Sequence, residues 1–345
     1  MIDWLTLRIN SDFRPEAGTV VSLTADGEVE WRIQKRVKVE GSHSSSVQVR
    51  SVPYGGKLIG GNLEITGNPA KFLQGHNLFG TADLAPLVQA FVLAVFDRIG
   101  YQPTAAEVEQ LRVGLVWITR LDVNRNSDFG SRPRALNAVR ALSECAHMSH
   151  RGRGSLVGEG TAYWGQKSRY FSLKVYAKGV ELDKHKLPKD LPMVAELHRF
   201  SEGLVRREVT IWARELQRRK LHILANWSTL GASPMSLFDD MFGRLTISEA
   251  TMKEPSELEA IPPKLRSVYQ LWADGHDLRE LFPTRTFYRH RKALLALGID
   301  IAVKQPRDVS NVVPLVVTLV GHEVGVPEWA RGTPLYFDPR AARVA

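Results

Sequence analysis

A tyrosine between two lysines occupies a segment in which polar and apolar residues alternate. Tyr176 lies in the segment 171–178, and Lys174 and Lys178 share its parity. Alternate side chains of a strand point to the same face, so these three side chains should lie opposite the apolar face. A tyrosine hydroxyl titrates near about pH 10 and is a weak nucleophile at neutral pH, but a nearby cation favours its phenolate. The segment therefore predicts a tyrosine that can attack an electrophile.

Three carboxylates hold the same kind of position in three other predicted strands. Glu64, Asp122 and Glu208 each alternate with the apolar residues around them. If the four strands share a sheet face, these carboxylates can converge on a hard divalent cation, for which Mg²⁺ or Mn²⁺ is the expected choice. Such a cation stabilises the charge that develops at a phosphate under attack, and Lys174 or Lys178 can assist the leaving oxygen. The predicted chemistry is transesterification of DNA, although a solvated polar face explains each strand taken alone.

The elements that must position these residues form a predicted antiparallel sheet with flanking helices. Alternating segments separated by Gly, Pro and Ser predict strands at 4–9, 19–23, 29–39, 47–52, 57–65, 112–124, 155–164, 169–178 and 203–212. Apolar residues recur at helical spacing over 83–99, and a further helical stretch is expected near 134–147. The predicted fold class is α+β, with a catalytic domain over residues 1–250.

The composition changes near residue 250, where we place a boundary to a second domain over 251–345. Helices are predicted over 264–273 and 284–298, which together indicate a small helix-turn-helix domain of winged-helix-like type, followed by a C-terminal tail. The second helix would enter a DNA major groove. A basic solvated helix is the alternative. The candidate DNA-binding residues are Arg285, Tyr288, Arg289, Arg291 and Lys292.

The charge balance favours nucleic acid as a partner. The chain has 46 Lys and Arg against 37 Asp and Glu, a formal net charge of +9. Its 43% hydrophobic content excludes disorder, collagen and coiled coil as descriptions of the whole chain. Cys145 is the single cysteine, and no apolar run reaches the roughly 18 residues of a membrane span. We therefore expect a cytoplasmic protein without export signal, internal disulfide or membrane partner.

Five sequence blocks resemble the replication initiators of filamentous phages, the gene II and gene X protein family, and more distantly the rolling-circle plasmid initiators. The resemblance spans nearly the whole chain, and a further short match falls at 286–289 in the second domain. The five blocks are 1–6, 63–77, 119–122, 163–168 with 173–179, and 204–209. Each block alone is weakly specific, but the five in this order are fairly specific.

The resemblance implies a site-specific, metal-dependent nickase that starts rolling-circle replication. It carries the role of nucleophile to Tyr176 and metal ligation to Asp122 and Glu208, with Glu64 as a less certain third ligand. Such an enzyme becomes attached to a 5′ phosphate, leaves a free 3′ hydroxyl for a host polymerase, and later rejoins the displaced strand. The implied partner is origin DNA, double-stranded and single-stranded, with a host helicase and polymerase as further candidates.

Two residues are secondary candidates, and the pattern departs from the wider group in two respects. His76 can bind metal or DNA, or hold the backbone of its own loop. Tyr170 ranks second as nucleophile, and Tyr163 is interpreted as a packing or base-stacking residue. Many rolling-circle nickases have two metal-binding histidines separated by one apolar residue, which this chain lacks, and plasmid relatives often have a carboxylate where Asn126 stands.

Two other classes of function stay open at this point. The first is a non-catalytic, sequence-specific DNA-binding replication factor or regulator, in which the polar strand face is merely solvated. The second is a metal-dependent nuclease that activates water, in which Tyr176 only binds DNA.

Overall fold

The computed structural model describes residues 1–53, 60–149, 151–247, 261–273, 275–297, 299–303 and 321–341. Its strands are β1 (Ile2–Ile9), β2 (Thr19–Leu23), β3 (Val29–Gln34), β4 (Val37–Glu40), β5 (Ser46–Ser51), β6 (Leu63–Gly67), β7 (Trp117–Asp128), β8 (Ala146–Met148), β9 (Gly152–Arg153), β10 (Ser155–Val157), β11 (Thr161–Trp164), β12 (Phe171–Ala177), β13 (Leu204–Trp212), β14 (Leu245–Ile247) and β15 (His322–Val324). Its helices are α1 (Pro69–Gln74), α2 (Leu84–Arg98), α3 (Ala105–Arg112), α4 (Arg132–Cys145), α5 (Lys178–Lys184), α6 (Val194–Ser201), α7 (Ala213–Arg218), α8 (Ala225–Thr229), α9 (Pro234–Phe242), α10 (Pro263–Ala273), α11 (Leu278–Leu281) and α12 (Thr284–Leu295).

One ten-stranded sheet organises the larger part of the molecule. Nine strands follow the order β10-β11-β12-β13-β7-β1-β6-β5-β4, and β15 also pairs with β7. The neighbouring strands run antiparallel. The long strand β7 pairs with β13 along one edge and with β1 along the other. This arrangement confirms the predicted mixed α+β fold with a large antiparallel sheet and flanking helices.

One face of the sheet is apolar and packs against helices. The buried side chains of β1, β7, β12 and β13 join one core with those of α2 and α4. The prediction for α2 was close, because its buried residues recur every three or four positions and Gly100, at φ +69°, follows its C-terminal cap residue. Because this face packs against helices, polar side chains must lie on the opposite face of the sheet.

Several predicted elements have other bounds than the sequence indicates, and the segment 155–164 forms two paired strands, β10 and β11. The segment 29–39 forms two strands, β3 and β4, and the segment 112–124 contains a turn at Gly114 before β7 starts at Trp117. Strand β12 ends at Ala177, and Lys178 is the first residue of α5. Lys178 therefore follows the strand that carries Tyr176 instead of belonging to it.

Three helices follow in the C-terminal part of the described chain. Helices α10, α11 and α12 contact one another around a small core that includes Val268, Trp272, Phe287 and Leu294. The one-turn helix α11 lies between the two helices that the sequence predicts. The expected boundary at residue 250 and the tail segments 307–320 and 342–345 lie outside the described residues. In the described chain, no helix is both long and apolar enough to span a membrane.

Candidate active site on the polar sheet face

The cross-strand register places the predicted tyrosine and two of the predicted carboxylates on one face. Glu208 on β13 lies opposite Lys174 on β12 and opposite Asn124 on β7, and Tyr176 follows Lys174 by two residues. Asp122 precedes Asn124 by two residues on β7. Directly opposed residues of neighbouring strands share a face, as do residues two apart in one strand. This is the face opposite the apolar core, as the alternation predicts.

Tyr176 is buried and bonded to a carboxylate. Its hydroxyl donates a hydrogen bond to Glu208 Oε2 at 3.1 Å. The Lys174 ammonium lies 4.0 Å from the centre of the tyrosine ring, and the Lys178 ammonium lies 5.8 Å away. Burial, followed by the negative charge of Glu208, raises the pKa of Tyr176 well above its ordinary value. The hydroxyl is therefore protonated and donates to Glu208. The sequence instead indicates a phenolate, because two lysines flank the tyrosine.

The two carboxylates on this face resist ionisation. Burial raises the pKa of Asp122 to about 7, with Glu208 and Asp3 adding to the shift, and the hydrogen bond from Arg120 opposes it. Arg120 donates from Nε and Nη2 to the two oxygens of Asp122 at 2.9 and 2.6 Å. Burial and then the charge of Asp3 raise the pKa of Glu208 as well. A bound cation would offset this effect, because it favours the ionised form of both carboxylates.

Asp3 is a member of this cluster that sequence reasoning missed. Its Oδ1 accepts hydrogen bonds from Asn68 and Asn77 at 3.1 and 2.8 Å and lies 3.5 Å from Arg206 Nη1. By simple alternation Asp3 belongs with the apolar residues Leu5 and Leu7. A β-bulge between Ile2 and Trp4 shifts the register and re-aims it to the polar face. The arginine and Lys178 hold the pKa of Asp3 below its ordinary value, although burial acts in the other direction.

A buried arginine closes one end of the polar face. Arg206 is fully buried and donates to Asn126 Oδ1 at 2.9 Å and to the Leu78 carbonyl at 3.0 Å. Beside it, Lys178 donates to Asn77 Oδ1 at 3.2 Å and pairs with Glu181. Burial lowers the pKa of Lys178 to about 8. Asn126, which stands where plasmid relatives often have a carboxylate, is thus a partner of Arg206.

Glu64 lies on the same face but is not brought together with Asp122 and Glu208. Its strand β6 is separated from β13 by β1 and β7. Its carboxylate is bound by three arginines, Arg8 at 3.2 Å, Arg36 at 3.1 Å and Arg50 at 2.7 Å. With three guanidinium groups around it, the carboxylate is already neutralised. The expected convergence of all three predicted carboxylates therefore does not occur in the structure.

The fit of the face to a divalent cation rests on one side-chain oxygen that lacks a partner, that of Asn124. In the described ranges, no group of three or more His, Cys, Asp or Glu side chains could hold a metal ion. The fully buried Asn124, however, lies between Asp122 and Glu208 in the register, and neither atom of its side-chain amide has a hydrogen-bond partner. An amide oxygen flanked by two carboxylates is a donor set that Mg²⁺ and Mn²⁺ accept.

The structure also places the secondary candidates His76, Tyr170 and Tyr163. The ring of His76 is fully buried, with Nε2 2.9 Å from the Leu335 carbonyl and Nδ1 accepting from the Leu78 backbone at 3.2 Å. Burial lowers the pKa of His76 to about 4, so the ring is neutral and holds backbone. Tyr170 is 44% exposed and directly precedes β12, and its carbonyl accepts a hydrogen bond from the Trp212 backbone at 2.8 Å. Tyr163 lies opposite Lys174, with the ammonium 5.9 Å from its ring centre.

The C-terminal candidates divide into two groups. Arg285, Tyr288, Arg289 and Lys292 are exposed along α12. Arg291 instead points to Asp300, with two hydrogen bonds of 2.7 and 2.8 Å. This ion pair ties α12 to the segment that follows it, so Arg291 has a structural partner whereas the other four side chains are open to a ligand.

The fold and the site define an α+β protein with a tyrosine and carboxylates on one face of an antiparallel sheet. Residues 1–230 match the N-terminal part, and residues 256–333 the C-terminal part, of the family described as the replication-associated gene II protein. The chain belongs to this family of replication-associated proteins, which confirms the resemblance to the filamentous-phage family.

Individual relatives carry the same description. The chain is 33% identical over 333 residues to the replication-associated gene II protein of Enterobacteria phage I2-2, covering 95% of each. It is 28% identical over 194 residues to the protein of the same description from Enterobacteria phage M13, covering 51% of this chain and 43% of that one. Among solved structures, a rolling circle replication initiator protein from Geobacillus stearothermophilus shows 13% identity and a TM-score of 0.30, covering 74% of this chain and 89% of that one.

Proposed function

We propose that this protein initiates rolling-circle replication by nicking origin DNA through Tyr176. The observation that carries the proposal is the hydrogen bond of Tyr176 to Glu208, on a polar face shared with Asp122 and Asp3. Family membership supports a role in replication, and the net charge of +9 suits a DNA substrate. After one round, the same chemistry in reverse would rejoin the displaced strand into a circle.

The proposed step is an exchange of phosphodiester bonds. The Tyr176 oxygen forms a bond to the scissile phosphorus while its proton passes along the existing hydrogen bond to Glu208 Oε2. The bond from phosphorus to the 3′ oxygen breaks, and this oxygen takes up a proton to become a free hydroxyl. The protein is then joined to the 5′ phosphate. A host polymerase would extend the hydroxyl and a host helicase would open the duplex, in the cytoplasm of the host cell.

The two lysines have unequal access to the substrate in this proposal. Lys174 is half-buried and lies close to the tyrosine ring, so it can reach a phosphate oxygen or protonate the leaving 3′ oxygen. Lys178 is enclosed and bonded to Asn77 and Glu181. Its contribution would be electrostatic, through the positive charge it places near the ring.

Mg²⁺ or Mn²⁺ is the expected cofactor. Asp122, Glu208 and the unpartnered amide oxygen of Asn124 would hold it, with Asp3 as a further carboxylate nearby. When bound, the cation would neutralise phosphodiester charge. Glu64, which sequence reasoning offered as a third ligand, is better explained as the counter-charge of its three arginines.

Sequence-specific binding of double-stranded origin DNA is proposed for the C-terminal helices. Helix α12 would act as the recognition helix of a helix-turn-helix and present Arg285, Tyr288, Arg289 and Lys292 to the major groove. Arginine contacts to guanine edges would select the sequence, and Lys292 would contact phosphate. Arg291 would support the helix through Asp300.

The experiment compares wild type with Tyr176→Phe on supercoiled origin DNA with Mg²⁺, scoring nicking and covalent protein–DNA adduct in denaturing gels. We expect the variant to lose both, while Tyr170→Phe, altered at an exposed tyrosine outside the cluster, keeps both. Unchanged nicking by Tyr176→Phe would refute the proposal. Nicking by wild type without an adduct would favour a nuclease that uses water, and binding of the origin without nicking would favour a non-catalytic replication factor.

A further inference from the structure

An arginine lies between two tryptophans at the open end of the polar face. The guanidinium carbon of Arg120 is 5.1 Å from the ring centre of Trp4 and 4.8 Å from that of Trp212. The three residues come from the adjacent strands β1, β7 and β13, and all three are partly exposed. We call this cluster of Trp4, Arg120 and Trp212 the tryptophan platform.

The tryptophan platform is continuous with the candidate active site. Arg120 uses Nε and Nη2 to hold Asp122, and within the described chain no acceptor is bonded to its Nη1. Trp4 is oriented by a hydrogen bond of 3.1 Å from its Nε1 to Thr66 Oγ1. Trp212 lies opposite Arg120 in the register. A strand bound across the platform would therefore reach the neighbourhood of Asp122 and Glu208.

The two ends of the polar face differ in how accessible they are to a ligand. The end around Arg206 is filled by buried side chains and by the carbonyls of Asn77 and Leu78. At the other end, Ser172, Thr210 and Arg120 remain partly exposed. Among the described residues, the end on which the platform lies is therefore the more accessible of the two.

The chemistry of the platform fits unpaired bases. Bases stack on indole rings whatever their sequence, and an arginine adds cation–π attraction together with a phosphate contact. Duplex DNA offers no free base faces, so the match is to a single strand. We infer that Trp4, Arg120 and Trp212 form a base-stacking platform that holds single-stranded DNA beside the scissile phosphate. This inference rests on the proposed function, because it uses the same substrate.

The test measures binding of a short fluorescent pyrimidine oligonucleotide by anisotropy, in the Tyr176→Phe background so that no cleavage occurs. Trp212→Leu keeps apolar bulk but removes the aromatic face, and we expect about tenfold weaker binding, equivalent to about 1.4 kcal/mol. Trp212→Phe should stay within about threefold of the parent because a ring remains. Trp31→Ala, at a 46% exposed tryptophan on β3, is the control for loss of an exposed indole and should bind like the parent.

An abasic oligonucleotide separates stacking from indirect effects. If Trp212 stacks on a base, the difference between Trp212→Leu and its parent should disappear on the abasic strand. A Trp212→Leu variant that binds the normal oligonucleotide as tightly as its parent would overturn the inference. A loss that persists on the abasic strand would also overturn it, because the tryptophan would then act only by holding Arg120 on Asp122.

Failure of this inference is distinguishable from failure of the proposed function. Adduct formation by the wild-type chain tests the nucleophile without reference to the platform. An adduct at Tyr176 together with unchanged binding by Trp212→Leu would retain the nicking proposal and reject the platform.

Discussion

The raised pKa of Asp122 leads to a specific prediction about stability in the absence of divalent cations. Burial raises this pKa from an ordinary 3.8 to about 7, with added effects from Glu208 and Asp3. Asp122→Asn removes the titrating group but keeps the size and one hydrogen-bond acceptor for Arg120. The difference in the free energy of unfolding between wild type and this variant therefore reports the cost of ionising Asp122 in the folded protein.

The sign and size follow from proton linkage. Because the folded pKa is raised, the folded chain holds the Asp122 proton more tightly than the unfolded chain does. Stability is therefore lost as pH rises from the unfolded pKa to the folded one, and the loss is complete above about pH 7. Each pH unit in this window is worth about 1.4 kcal/mol, so the two units between about pH 5 and about pH 7 cost the wild type about 3 kcal/mol. Asp122→Asn should not show this loss.

Urea unfolding followed by tryptophan fluorescence in EDTA provides the assay. The free energy of unfolding of Asp122→Asn minus that of wild type should increase by about 3 kcal/mol from about pH 5 to about pH 8. Asp97→Asn, at an exposed position in α2, should stay within about 0.5 kcal/mol of wild type throughout. A difference for Asp122→Asn that does not change with pH would refute the reasoning. With Mg²⁺ in place of EDTA, the wild-type pH dependence should flatten, because a bound cation favours the ionised carboxylate.

Three further predictions address the surroundings of the site. Arg206→Met leaves Asp3 without its buried cation, and urea titration should show a loss of about 3–5 kcal/mol, whereas a loss below about 1 kcal/mol would contradict this role. Glu64→Gln should destabilise the fold by about 1–3 kcal/mol in the same titration while leaving Mn²⁺ affinity unchanged by electron paramagnetic resonance; weakened Mn²⁺ binding would restore Glu64 as a ligand. Changing Arg285, Arg289 and Lys292 to Ala should weaken origin binding and reduce the slope of log K against log salt by about 1, for the one phosphate contact proposed for Lys292, and an unchanged slope would exclude that contact.

Sequence alternation predicted the face of the site well because it depends on local geometry. In β7, β12 and β13 the strands are regular around Asp122, Tyr176 and Glu208, so a period of two gives the correct side for each residue. The fold class followed from the same alternation together with the helical pattern of α2. These features need only the residues of a single element.

The remaining features of the site depend on contacts between elements that no local pattern contains. Asp3 was missed because a bulge, which arises from pairing with β7, moves it to the polar face. Lys178 was placed in a strand because the start of α5 is not marked by a side-chain cap. The partners of Glu64 come from β1, from β5 and from the connection between β3 and β4, so the pattern of β6 alone could not reveal them.

The central claim is that Tyr176 becomes covalently joined to the 5′ phosphate of nicked origin DNA. Mass spectrometry of protease- and nuclease-treated reaction products tests it most directly, because it assigns the nucleotide to a particular residue. We expect a peptide that carries a nucleotide on the Tyr176 oxygen, formed only with a divalent cation and absent from Tyr176→Phe. A nicked product with a free 5′ phosphate and no modified peptide, or a nucleotide on Tyr163 or Tyr170, would contradict it.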